Sequence, residues 1–104
     1  MRRAELHRKD YEAHKASIIS DIWFHIKDRE DGSLNIMEKK GCPAIVTNYI
    51  DDQESEVIDE LVAEGDNVIA LASIYGEPET RYNLNEFEVP MLLLILESVE
   101  KHVE

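Results

Sequence analysis

The fold is decided by the stretch that spans residues 67–84, NVIALASIYGEPETRYNL. Residues 67–75 are rich in β-branched and aliphatic side chains, which favour a strand. Residues 76–79 contain a glycine and a proline, a composition that is typical of a turn. Residues 80–84 then predict a short returning strand, so the whole stretch predicts an antiparallel hairpin.

Residues 55–64, immediately before this hairpin, fit two structures. The apolar side chains have the spacing of one helix face: Val57, Ile58, Leu61 and Val62. Gly65 could terminate such a helix. The alternative is a strand that turns at Gly65 and Asp66 and pairs with residues 67–75. We favour the strand because it gives the sheet another partner, but the spacing alone leaves both structures open.

Two more strands are predicted nearer the N-terminus. Residues 33–38 predict a short strand with Leu34 and Ile36 on one face, because side chains alternate along a strand. Residues 39–43 contain a glycine and a proline and predict a turn. Residues 44–50 are rich in β-branched side chains and predict a strand.

A long helix is predicted ahead of the sheet, over residues 4–28. Its apolar side chains fall within a stripe about 120° wide, as in a helix with one buried face. The stripe consists of Tyr11, Ile18, Ile19, Ile22, Trp23 and Ile26. Gly32 supplies the stop signal after this helix. Phe24 lies outside the stripe, so we expect it to contact another element or a second subunit.

A second helix is predicted over residues 85–104. Asn85 and Glu88 have the spacing of a capping box, and the proline that follows favours a helix that becomes regular near it. One face of this helix carries Leu92, Ile95, Leu96, Val99 and Val103. Leu93 and Leu94 lie off that face, so the first turns are apolar almost all round. We expect their contact to be the N-terminal helix or another copy of the protein.

These elements predict an α+β fold, in which a small antiparallel β-sheet of about three to five strands packs with a long N-terminal helix and a C-terminal helix. The 104 residues, 43% of them hydrophobic, fit a single domain over 1–104. Its parts are the N-terminal helix (1–30), the sheet region (33–84) and the C-terminal helix (85–104).

The charge of the chain is strongly acidic and unevenly distributed. The net charge is -12, and residues 51–104 hold fifteen Asp and Glu against Arg81 and Lys101, a balance of -13. Such a field repels nucleic acid and attracts basic partners. Direct binding of nucleic acid is therefore not expected, whereas a basic protein partner is compatible with the charge.

Reactive side chains do not gather into a recognisable site. His7, His14 and His25 share one side of the first helix, but a rise of about 1.5 Å per residue sets neighbours roughly 10 Å or more apart. No two of them can bind one zinc ion. The acids of 51–56 lack the glycine of a calcium loop and are expected to be solvated. Nucleotide-binding and hydrolase motifs are absent from the sequence. We expect no catalytic, cofactor-binding or metal-binding residues and no cofactor, and the sequence favours a protein that is not an enzyme.

The expected location is the cytoplasm. Cys42 is the single cysteine, which suits a reducing compartment. The N-terminus is charged and shows no apolar leader segment. The longest apolar run spans residues 91–96, whereas a membrane span needs about 20 residues. No membrane association is expected.

These observations favour a small acidic accessory protein that acts without catalysis through a protein–protein surface. The side chains that motivate this hypothesis are Phe24, Leu93 and Leu94. Their partner is expected to be a basic protein or, through homo-oligomerisation, another copy of the chain. The alternative is an acidic mimic of nucleic acid that inhibits a basic DNA- or RNA-handling protein. A metal-dependent enzyme is the third and least favoured hypothesis.

Overall fold

The predicted α+β fold is confirmed. A computed structural model describes residues 3–29, 31–36, 45, 56–73 and 79–103. Its elements, in chain order, are α1 (Arg3–Ile26), β1 (Ser33–Asn35), β2 (Val57–Glu64), β3 (Asn67–Ser73), β4 (Thr80–Asn83), a 3₁₀ turn (Leu84–Glu86) and α2 (Val89–Val103). The strands form one antiparallel sheet in the order β1-β2-β3-β4.

The sheet has one face in the hydrophobic core, because side chains alternate along each strand. One row of paired residues crosses all four strands: Leu34, Leu61, Ala70 and Tyr82. The first three are buried, and Tyr82 packs against the same cluster. Both predicted hairpin pairings, β2 with β3 and β3 with β4, are therefore present. Residues 74–78, which include most of the second predicted turn, lie outside the described residues.

The helix-like spacing in residues 55–64 has a local cause in β2. The pairing of β2 with β3 shifts between Ile58 and Glu60, which marks a bulge. A bulge inserts one residue and reverses the alternation of the strand. Ile58 and Leu61, three residues apart, are consequently both buried. The turn that follows places Gly65 at φ 60°, a left-handed conformation that glycine adopts without steric cost.

Helix α1 buries most of the predicted stripe against the sheet and α2, but Tyr11, which was also predicted to lie in the stripe, is exposed. Ile18, Ile22 and Ile26 are buried, and Ile19 and Trp23 pack against the core. The helix ends two residues before the predicted boundary. Beyond it, Gly32 adopts φ 63° and donates its N–H to the Arg29 carbonyl at 2.9 Å. Helices α1 and α2 pack against each other, which was one of the two contacts expected for α2, but Leu93 and Leu94 themselves are exposed.

Helix α2 begins at Val89, next to Pro90 as predicted, but the capping box lies two residues earlier than predicted. The capping box belongs to Asn83 and Glu86 around the 3₁₀ turn, and not to Asn85 and Glu88. The Asn83 side chain accepts from the Asn85 N–H at 3.2 Å, and Glu86 accepts from the Asn83 N–H at 2.8 Å. Glu88 instead accepts a hydrogen bond from the Tyr11 hydroxyl, whose oxygen accepts from the Val89 N–H at 3.2 Å. This contact ties the start of α2 to α1.

The segment between β1 and β2 is described only in part. β1 covers residues 33–35 of the predicted strand, and Leu34 and Ile36 are both buried, as expected for one face. Within the predicted strand 44–50, only Ile45 is described. It is buried, and its carbonyl accepts from the Ile58 N–H at 2.9 Å. The predicted turn over 39–43 lies outside the described residues.

Candidate functional site

The three side chains that motivate the interaction hypothesis are all exposed. Phe24 on α1 has 68% of its surface accessible, and Leu93 and Leu94 on α2 have 46% and 55%. Phe24 lies on the opposite side of α1 from Ile22, which is completely buried. On α2, the neighbouring Leu92 and Ile95 take the buried positions, which leaves the two leucines in solvent.

A cation lies over the aromatic residues at the end of α1. The Trp23 and Phe24 rings meet edge to face, with centroids 6.3 Å apart. The Lys27 Nζ is 5.0 Å from the Phe24 centroid and 5.4 Å from the Trp23 centroid. The same Nζ is 3.1 Å from the Asp28 carboxylate. An ammonium group at this distance is attracted to the faces of aromatic rings.

The exposed side of α2 changes in character along the helix. Among the described side chains of α2, the exposed ones are Pro90, Leu93, Leu94, Glu97, Glu100 and Lys101. The first three are apolar and the last three are charged, and the spacing places them along one helix side. Glu97 and Lys101 pair at 3.3 Å. The apolar part is therefore bordered by the carboxylates of Glu97 and Glu100, and Lys101 pairs with the first of these.

A groove of about 410 Å³ lies between α1 and one end of the sheet. Helix α1 contributes Ala16, Ile19, Ser20 and Trp23, and the opposite wall contains Asp66, Asn67, Asn83 and Asn85. The Trp23 Nε1–H donates to the Gly65 carbonyl at 2.8 Å, which fixes the indole against the β2–β3 turn. The lining thus combines an indole ring, three carboxamides, one hydroxyl and one carboxylate.

Glu56 corrects the expectation that the acids of 51–56 are solvated. Only 8% of its surface is exposed. Its carboxylate accepts hydrogen bonds from the Thr80 hydroxyl at 2.6 Å and from the Tyr82 hydroxyl. The intervening strand β3 carries Ala72 at this level, and its small side chain leaves room for residues of the outer strands to meet. Residues 51–55 lie outside the described residues.

The tyrosines of these contacts have perturbed acidities. Burial is the main cause that raises the pKa of Tyr82 above its usual 10.0, and the charge of Glu86 acts in the same direction. The pKa of Tyr11 is raised chiefly by its hydrogen bond to Glu88. Both hydroxyls therefore remain protonated donors at neutral pH.

The histidines of α1 form no described site. His14 and His25 are exposed, as expected for a solvated face, and the side chain of His7 lies outside the described residues. Among the described residues, no group of three or more His, Cys, Asp or Glu is placed to hold a metal ion. Within the same part of the chain, no helix is long and apolar enough to cross a membrane.

Comparison with protein-family models, with curated proteins and with solved structures finds no match to this chain. The site must therefore be interpreted from its own chemistry.

Sequence reasoning missed the groove and the Glu56 contacts. The groove walls come from positions more than 40 residues apart in the chain, such as Trp23 and Asp66. The available signal was the clustering of asparagines at the ends of predicted strands, Asn67 and Asn83, where polar side chains meet at one edge of a sheet. Glu56 carried a weaker signal, since it directly precedes the apolar residues of β2.

Proposed function

We propose that this protein is a non-catalytic interaction or accessory module that binds a protein partner through Phe24, Leu93 and Leu94. The observation that carries the proposal is the exposure of these three side chains. The other large aliphatic residues whose side chains are described in the two helices are buried or partly buried. Large apolar side chains at the centre of an interface supply much of the binding energy in protein complexes.

The distribution of the acidic residues supports this function over nucleic-acid mimicry. Among the described carboxylates after residue 51, six bind groups of their own chain: Glu56, Asp59, Glu64, Glu86, Glu88 and Glu97. A mimic needs carboxylates that are free to face a basic surface. In the described residues, four have no hydrogen bond or ion pair: Glu60, Asp66, Glu79 and Glu100. The balance of -13 over residues 51–104 still supports mimicry as the second candidate.

Two partners follow from the proposal, a basic protein and a second copy of the chain. The proposed location is the cytoplasm, supported by the single cysteine, Cys42. Both partners would cover the apolar side chains, and burial of apolar surface contributes about 25 cal/mol per Å².

The test compares three versions of the full chain as baits in a lysate of the native cell. These are the wild type, the double variant Leu93→Ser/Leu94→Ser and the control Glu100→Gln, which alters the same exposed side of α2. We expect one protein, or the chain itself, to be retained by the wild type and the control but not by the double variant. Sedimentation equilibrium of the same three proteins identifies self-association. Equal retention by all three, with monomers throughout, contradicts the proposal.

The leucine substitutions, combined with a change of salt, separate the second candidate from the first. A charge mimic should lose its partner steeply between low and high ionic strength and should be insensitive to the leucine substitutions. An interface based on the leucines should lose its partner on substitution at any ionic strength.

A further inference from the structure

The exposed Phe24 neighbours two residues that line the groove beside α1. Trp23 lines the groove and contacts the Phe24 ring. Ser20 also lines it and lies one helical turn before Phe24. A partner that covers Phe24 therefore lies next to the groove wall formed by Ser20 and Trp23.

The groove offers hydrogen-bond acceptors to a cation. Asp66 supplies a carboxylate, and the carboxamides of Asn67, Asn83 and Asn85 have oxygens that accept hydrogen bonds, although the oxygen of Asn83 already accepts from the Asn85 N–H. The described lining contains no Lys, Arg or His. The net charge of -12 adds a field that attracts cations and repels phosphates and carboxylates.

A planar cation fits this lining better than a compact one. A guanidinium group has five N–H donors in one plane, and its flat face stacks on aromatic rings. Asp66 and the carboxamides provide several acceptors, and Trp23 provides a ring fixed by its bond to Gly65. The Lys27 Nζ lies 5.4 Å from the Trp23 ring centroid, within the distance at which an ammonium group is attracted to an aromatic face.

We propose that the groove binds the guanidinium group of an arginine side chain from the protein partner. This inference rests on the proposed interaction function and names the chemistry of the partner, an arginine next to apolar residues that cover Phe24. The groove volume of about 410 Å³ lies within the range of roughly 300–1,000 Å³ that is usual for small ligands.

The probe is N-acetyl-argininamide, titrated into the full chain and followed by ¹H–¹⁵N NMR. The reporters are the indole N–H of Trp23, the single tryptophan, and the side-chain amides of Asn67, Asn83 and Asn85. We expect saturable shifts at these signals and a weaker response to N-acetyl-citrullinamide, which has nearly the same shape without the charge. Added salt should weaken the response to the arginine probe.

The matched variants are Asp66→Asn and Glu100→Gln, each of which removes one exposed negative charge. Asparagine suits the turn position of Asp66, so the fold should persist, and the amide spectrum checks this. Asp66→Asn should weaken binding about two- to fivefold, as expected for an exposed ion pair. Glu100→Gln should leave binding unchanged. Equal binding of the citrulline probe, equal effects of the two variants, or no saturable shift would each overturn the inference.

The two proposals can fail separately. Loss of partner retention in Leu93→Ser/Leu94→Ser, without binding of the arginine probe, refutes the groove inference and leaves the interaction function in place. Binding of the probe, with retention unaffected by the leucine substitutions, supports the groove and refutes the role of the leucines.

Discussion

Removal of the Tyr82 hydroxyl tests how much the hydrogen bond from this hydroxyl to the buried carboxylate of Glu56 contributes to the stability of the fold. In Tyr82→Phe the ring keeps its packing against Phe87, with centroids 5.6 Å apart, and the hydrogen bond to Glu56 is lost. A hydrogen bond to a charged group contributes about 1.5–3 kcal/mol. Thr80 still donates to Glu56 at 2.6 Å, so we expect a loss near the lower end, about 1.5 kcal/mol, in the free energy of unfolding.

Urea denaturation followed by circular dichroism measures this loss, and Tm should fall by roughly 10 °C for a domain of this size. Tyr11→Phe is the control, because it removes the same group from a partly exposed contact with Glu88, and its effect should be clearly smaller. Tyr82→Phe combined with Thr80→Val should cost more than the sum of the single changes, since Glu56 then loses both described donors. Equal losses in Tyr82→Phe and Tyr11→Phe would refute the claim that burial strengthens this contact.

Three further predictions concern the fold. Ile22→Ala removes a completely buried side chain and should lower the free energy of unfolding by about 2–5 kcal/mol in urea denaturation. Gly65→Ala places a Cβ at φ 60° and should cost about 1–2 kcal/mol, whereas Gly65→Asn should cost less, as measured by thermal unfolding. Because the pKa of Tyr82 is raised above 10.0 in the folded protein, the unfolded chain releases this proton first. The contribution of Tyr82 to stability should therefore be constant up to about pH 10 and should be lost at higher pH. The stability of Tyr82→Phe, which lacks this group, should fall less steeply above about pH 10.

The sequence predicts the parts of this fold whose signal is local and periodic. The stripe of α1 repeats at helical spacing around Ile18, Ile22 and Ile26, and all three are buried. The strands β3 and β4 alternate or carry β-branched residues, and their pairing is present. The segment 55–64 is ambiguous for a physical reason, since the bulge between Ile58 and Glu60 produces the three-residue spacing of a helix.

The capping prediction failed because the chain contains the same pattern twice. Asn83 and Glu86 have the same spacing as Asn85 and Glu88, two residues later. The structure uses the first pair around the 3₁₀ turn. The second pair is not used in this way because Glu88 bonds to Tyr11, a contact between residues 77 positions apart. Local spacing contains no information about such a contact.

The candidate site was likewise predictable from the sequence only in part. Helical spacing placed Phe24 outside the buried stripe, and its exposure agrees with that position. The groove depends on the approach of α1 to the β2–β3 turn, through the bond from Trp23 to Gly65. Its polar wall could be predicted only after the strand ends had been located in space.

The direction in which salt changes binding distinguishes the two partners proposed for the apolar surface. Each copy carries a net charge of -12, so two copies repel one another, and salt should strengthen self-association by screening this repulsion. A basic partner is attracted, and salt should weaken its binding. Four of the described carboxylates, Asp66 among them, have no hydrogen bond or ion pair within the described part of the chain. A cationic partner would therefore reduce the repulsion between these negative charges. Partner retention that decreases with salt and depends on Leu94 therefore favours a basic, partly apolar protein. Dimerisation that increases with salt favours a second copy.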